Sequence, residues 1–139
     1  MKPLSIGLLL IVMLLINSCK KEGAEYINTV TGSYKMSGQV SYDTLLHYYT
    51  DTIVRVVKKS STSFTFLRGS CDLSLYRGDF SYYGETDSTI IYIGASSGDH
   101  DPNSSQIIFD KPTGSHFMLS GDFYCGAAFN EYTFHGTKI

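Results

Sequence analysis

The sequence predicts an all-β domain, an antiparallel meander of about eight or nine strands that forms a barrel or a curled sandwich. Three observations predict it. Eleven Tyr and eight Phe, all at or beyond Tyr26 and set among many Thr, Ser and Gly, suit the half-buried, pleated surface of a sheet. Beyond residue 18 there are four alanines, and no ten-residue stretch carries apolar groups at helical spacing. Apolar and polar side chains instead alternate in short runs bounded by turn residues, roughly one run per 8 to 12 positions. No segment is available for crossover helices, which excludes a parallel βαβ architecture.

The elements follow in chain order. Met1-Lys2 precedes an apolar run from Leu4 to Ile16. As a helix those thirteen residues cover roughly 20 Å, short of the roughly 30 Å hydrocarbon core of a bilayer. A charged start and a short apolar centre fit a secretory signal peptide. The run ends Ile16-Asn17-Ser18-Cys19 and passes directly into Lys20, Lys21 and Glu22. That ending resembles the lipobox of bacterial lipoproteins. The resemblance implies that Cys19 receives a diacylglycerol on its thiol, that the signal 1–18 is removed, and that the new amine is acylated. Stable attachment requires more than one acyl chain, which a triacylated cysteine supplies. Cys-Lys-Lys-Glu is similar to the charged tether of many Bacteroidota lipoproteins. The implied location is the cell envelope, anchored to the outer membrane, with its periplasmic or surface face left open.

The mature chain then runs from Cys19 to Ile139, the 139 residues less the first 18, which suffices for one modest core. Residues 19–30 read as the acylated cysteine and a flexible polar tether, and 31–139 as one antiparallel β domain. Within it, Tyr34, Met36, Val40 and Tyr42 share a parity, with Gly38 as a bulge or bend. "TLLHYYTDTIVRVVKK" reads as one long strand or as two with a break near Asp51. "STSFTFLRG" and "CDLSLYRG" are similar strands, each expected to end in a tight turn, at Gly69-Ser70 and Gly78-Asp79. "FSYYG", "STIIYIG", "SQIIFDK", "SHFMLSGDFYCG" and "EYTFHGTKI" complete the set, and residues 96–105 form the longest loop. From Gly32 onward the chain looks like the small lipocalin-like lipoproteins of the Bacteroidota. The likeness is carried by "GSYKMSGQVSYD" and the closing "EYTFHGTKI", and it implies a lipocalin-like barrel. The chain has no Trp, so it lacks that family's early Gly-x-Trp motif.

Ten basic residues face thirteen acidic ones once Lys2 is removed. They are spread along the chain with no basic stripe, so nucleic acid is not an expected partner. Cys71 and Cys125 form an even pair in an oxidising compartment, and read either as a disulfide or as two buried thiols. His47, His100, His116 and His135 have no metal-site spacing, and no metal or other cofactor is expected. "GDHDP" at 98–102 and Arg77-Gly78-Asp79 both read as turn material. There is no G-x-S-x-G elbow, and the chain is read as a non-enzyme and a monomer. Two binding roles remain: a carrier holding a small apolar or amphipathic molecule in the barrel, and a module binding a protein or glycan on an exposed face. A carrier requires interior space. A face binder requires a filled interior and exposed aromatics, for which Tyr48-Tyr49 and Tyr82-Tyr83 each place one ring on either face of a strand.

Overall fold

A computed structural model describes residues 22–69, 72–94, 105–125 and 128–139. The signal 1–18, Cys19, Cys71 and the 98–102 loop with His100 lie outside the described residues. Eight antiparallel strands close a meander barrel in sequence order. They are β1 Gly32–Tyr42, β2 Leu45–Lys58, β3 Ser63–Gly69, β4 Leu75–Glu85, β5 Thr89–Gly94, β6 Ser105–Asp110, β7 His116–Cys125 and β8 Ala128–Lys138, with β8 pairing back to β1. Of barrel and sandwich, the barrel is the one formed. Among the described residues there is one helix, α1 (Ile27–Val30), which precedes β1.

Period-two patterning explains the strands. Tyr34, Met36 and Val40 of β1, Phe64 and Phe66 of β3, Ile90 and Tyr92 of β5, Ile107 and Phe109 of β6, and Tyr132 and Phe134 of β8 all point inward and are buried. Outward positions such as Lys35, Gln39, Arg55, Gln106, Glu131 and His135 are exposed. A polar exterior around an aromatic interior is the reverse of the pattern of a membrane-spanning barrel.

Two bulges keep this alternation in register. Met36 pairs with Thr52 and Gly38 with Tyr49, so Ser37 faces both Thr50 and Asp51. The break expected near Asp51 is this bulge. Asp51 adopts φ 52°, its N–H donates to Ser37 Oγ at 3.0 Å, and its carboxylate pairs with Lys35 at 3.1 Å. β2 is therefore one strand and carries the extra residue, and the register shift lies between Met36 and Gly38, where the sequence leads one to expect a bulge or bend. Gly38 serves a different need, since a Cβ there would lie 2.1 Å from Thr133 O on β8. In β4 the register shifts between Tyr82 and Gly84, leaving Tyr83 as the extra residue.

The expected turn at Gly78-Asp79 is not formed. β4 runs straight through it, with Phe66 opposite Gly78 and Thr65 opposite Asp79, so "CDLSLYRG" and "FSYYG" merge into one strand. Cross-strand pairing with β3 outweighs the local turn preference. Arg77-Gly78-Asp79 is accordingly extended backbone rather than a displayed loop.

The stretch expected to be flexible tether also packs. Ile27 and Val30 of α1 are buried in the core, and Gly23 sits so close to the Tyr82 ring that a Cβ would lie 2.2 Å from it. Tyr26 stacks on Tyr82 at 6.3 Å. Lys58 Nζ donates to Asn28 Oδ1 at 3.0 Å and Lys138 Nζ to Thr29 O at 2.5 Å. The Tyr34 hydroxyl lies 2.8 Å from Val30 O and 2.6 Å from Gly114 O. Residues 22–31 thus close the end of the barrel where β1 begins. Nearby, the Tyr26 hydroxyl and then Lys111 hold the Glu85 carboxyl below its ordinary range. At the β6–β7 turn burial works to raise Asp110, but bonds from Thr113, the His116 N–H and Ser115 outweigh it and leave the carboxyl lowered.

Burial raises the phenols of Tyr34 and Tyr92. It pushes Tyr132 up to about 12, against a smaller opposing pull from the Ser105 hydroxyl. These groups are raised above their unfolded values, so the stability they supply is complete below about pH 10 and falls away as pH rises through the folded values. In an alkaline titration, tyrosinate absorbance from these three rings is expected to appear together with loss of near-UV circular dichroism. Complete ionisation with unchanged dichroism would contradict the packing.

Candidate functional site

The two binding roles differ in what they require of the interior. Phe64 meets Tyr92 at 4.7 Å, Phe80 at 5.6 Å and Phe109 at 5.8 Å between ring centroids. Phe117 meets Phe66 at 5.2 Å and Tyr34 at 5.3 Å. Offset and edge-on rings at such spacing are packed against one another. Aromatic side chains pack against one another through this region, from α1 to the middle of the barrel.

Towards the opposite end the interior turns polar. Arg68, Ser105 and Asn130 are buried there. The Arg68 guanidinium lies 4.8 Å from the Phe80 ring centroid, and its Nη2 donates to Asp79 O at 3.1 Å. Gly78 and Gly94 make room for it, because a Cβ on Gly94 would fall 1.7 Å from Nη2. Ser105 Oγ and Tyr132 Oη are 2.7 Å apart, and Asn130 Oδ1 accepts from the Asp43 N–H at 2.9 Å. Sequence reading missed Arg68 as an interior residue. Its signal was present: Phe64, Phe66 and Arg68 share one parity.

Outside, apolar side chains collect on one strand. Leu45, Leu46, Tyr48, Ile53 and Val57 of β2 are all exposed, Tyr48 to 64% and Ile53 to 70%. Because the Asp51 bulge shifts the parity, Leu46 and Tyr48 above it and Ile53 and Val57 below it all face outward. The expected division of the tyrosine pairs holds. Tyr49 turns inward, 5.7 Å from Phe134, and its hydroxyl donates to Leu73 O at 2.8 Å, while Tyr48 faces solvent. Tyr82 packs on the core and Tyr83 is exposed.

The backbone of β2 is equally distinctive. On one side it pairs with β1 along its length. On the other, among the described residues, its partners in β3 are Val57↔Thr65 and Lys58↔Phe64. Among the described residues, none is paired with this second edge from Leu45 to Val56. The seam is spanned higher up by the Tyr49–Leu73 bond instead.

The other sequence candidates are not brought together here. His47 lies on exposed β2 with its ring 4.7 Å from Tyr49. His116 and His135 border a shallow outer groove of about 380 Å³ with Lys35, Ser37, Asp51 and Thr137. Among the described residues, no group of three or more His, Cys, Asp or Glu is placed to hold a metal ion. Cys125 ends β7, and its expected partner Cys71 is outside the described residues. Among those residues no helix is long and apolar enough to cross a membrane. No family model matches the chain, and no curated protein matches it significantly.

Proposed function

We propose that the protein is an envelope lipoprotein, anchored to the outer membrane through Cys19, whose barrel is a non-catalytic module that binds a macromolecular partner on β2. The division of apolar side chains supports this reading over that of a carrier. The rings inside the barrel contact one another, while Leu45, Leu46, Tyr48 and Ile53 are turned to solvent on one strand. Monomeric domains rarely expose contiguous apolar patches of more than a few hundred Å² without a binding role.

Anchoring fixes which end faces the membrane. Glu22 is the first described residue and Gly23 is already buried, so about three residues, or roughly 10 Å of chain, separate Cys19 from the packed domain. The α1 end then sits against the bilayer, and the hairpin tip between Tyr42 and Leu45 points away from it.

Photo-crosslinking in the intact envelope tests the reading, with the crosslinker at position 48 on β2 or at position 106, the exposed position of β6. A discrete adduct is expected from 48 and none from 106, and Cys19→Ser is expected to leave the membrane fraction. A small molecule retained by the folded domain in native mass spectrometry, with no adduct from 48, would return the barrel to the carrier role.

A further inference from the structure

We infer that one side of the α1 end, where β8, β1 and β2 meet it, rests on the anionic headgroups of the bilayer that holds the chain. The inference rests on the reading of Cys19 as the anchor, and it uses a part of the surface other than the apolar row at the far end of β2. Charge carries it. Arg55 and Lys58 stand in the last four residues of β2, Lys59 follows them, and Lys138 ends β8. Lys138 passes over the start of β1, where a Cβ on Gly32 would fall 2.9 Å from its Cε. Arg55, Lys58 and Lys59 are exposed. Lys59 pairs with Asp79, but Lys58 and Lys138 donate to neutral oxygens, Asn28 Oδ1 and Thr29 O. Those bonds hold the two ammonium groups beside α1 without cancelling their charge. Further from the end, Lys35 and Asp51 pair and cancel each other.

The opposite side of the same end is acidic. Gly23 and Tyr26 pack on Tyr82 of β4, which brings Glu22 and Glu25 to that side. There burial first, and then the charges of Glu85, Glu22 and Glu25, raise the Tyr82 phenol. Asp87 in the β4–β5 turn and Asp110 at the end of β6 add to the acidic side, and Lys111 pairs with Glu85 among them. Held near an anionic surface, an end face divided in this way leans onto its positive side. The tether sets the distance: about three residues, or roughly 10 Å, against a Debye length of about 8 Å at physiological ionic strength. Its Lys20 and Lys21 carry the same sign. Each basic residue close to anionic lipid strengthens binding roughly fivefold. An acidic protein is the competing occupant, and the anchor favours the bilayer, because it turns this end towards the headgroups and keeps it within their reach.

The test uses the mature chain from residue 19 with Cys19→Ser, so that no lipid holds it, and vesicles of phosphatidylcholine alone or with about one third phosphatidylglycerol. At low salt the chain is expected to float with the anionic vesicles and not with the neutral ones, and about 0.5 M salt is expected to release it. Arg55→Gln and Lys58→Gln should each lower the partition coefficient roughly fivefold without changing the circular dichroism of the fold. Lys111→Gln removes the same charge from the opposite side and should lower it less than about twofold. Equal losses from all three variants would mean that net charge alone draws the chain, and would overturn the inference. So would binding to neutral vesicles as strong as to anionic ones, or no binding to either. Polyglutamate that binds with the same loss from Arg55→Gln, while vesicles do not, would overturn it in favour of an acidic protein. The anchor fails separately: in cells, Cys19→Ser that stays with the membrane fraction after a high-salt wash would count against Cys19 and leave the vesicle result standing.

Discussion

A chain that begins at Thr31 is expected to be less stable than one that begins at Glu22 by about 3 to 6 kcal/mol, from the burial of Ile27 and Val30 alone. The figure is large against the 5 to 15 kcal/mol, roughly, that holds a typical domain together. Truncation also removes Val30 O from the Tyr34 hydroxyl, Thr29 O from Lys138 and Asn28 from Lys58. It uncovers the end of the barrel that residues 22–31 close. Urea unfolding followed by circular dichroism checks the prediction. The shorter chain should unfold at a markedly lower midpoint, and Ile27→Ala in the longer chain should reproduce about half of the loss. Coincident midpoints would mean that α1 rests on the barrel without stabilising it.

The same segment shows where the sequence stops speaking. Ile27 and Val30 stand three apart in an otherwise polar stretch, a single helical turn, and one turn leaves no periodicity to detect. Its stability comes from packing rather than propensity. The strands were legible because parity repeats along each of them, which is why Tyr34, Met36 and Val40 read as one inward face. The split of Tyr48 from Tyr49 and of Tyr82 from Tyr83 followed from the same rule.

Where local chemistry and pairing compete, local chemistry misled. Gly78-Asp79 has the composition of a hairpin turn, yet the even parity of Gly78, Phe80 and Tyr82 runs through it, and pairing with β3 decides. How far β2 pairs with β3 could not be read at all. The residues of β2 resemble those of any strand, yet among the described residues its pairs with β3 are Val57↔Thr65 and Lys58↔Phe64, next to the connection. The extent of backbone pairing is therefore silent in a sequence, whereas the apolar side chains that β2 turns outward are plainly written there.

Phe64→Ala is expected to cost about 3 to 5 kcal/mol, the range for removing a ring from a packed core. Phe64 is fully buried and contacts Phe80, Tyr92 and Phe109, each held by its own strand, so the surroundings cannot collapse into the gap without breaking other ring contacts. The substitution should leave an apolar void, and such voids stay dry and accept small apolar guests such as benzene. Thermal unfolding with and without benzene reads both effects. The variant should melt well below the native protein and regain part of the loss with benzene, as preferential binding to the folded state requires, while the native protein should gain nothing. A native protein that is itself stabilised by benzene would have room inside, and the case for binding on the outer strand would lose its main support. A variant that melts low but ignores benzene would mean that the rings of Phe80, Tyr92 and Phe109 have closed the gap, placing the cost at the lower end of the range.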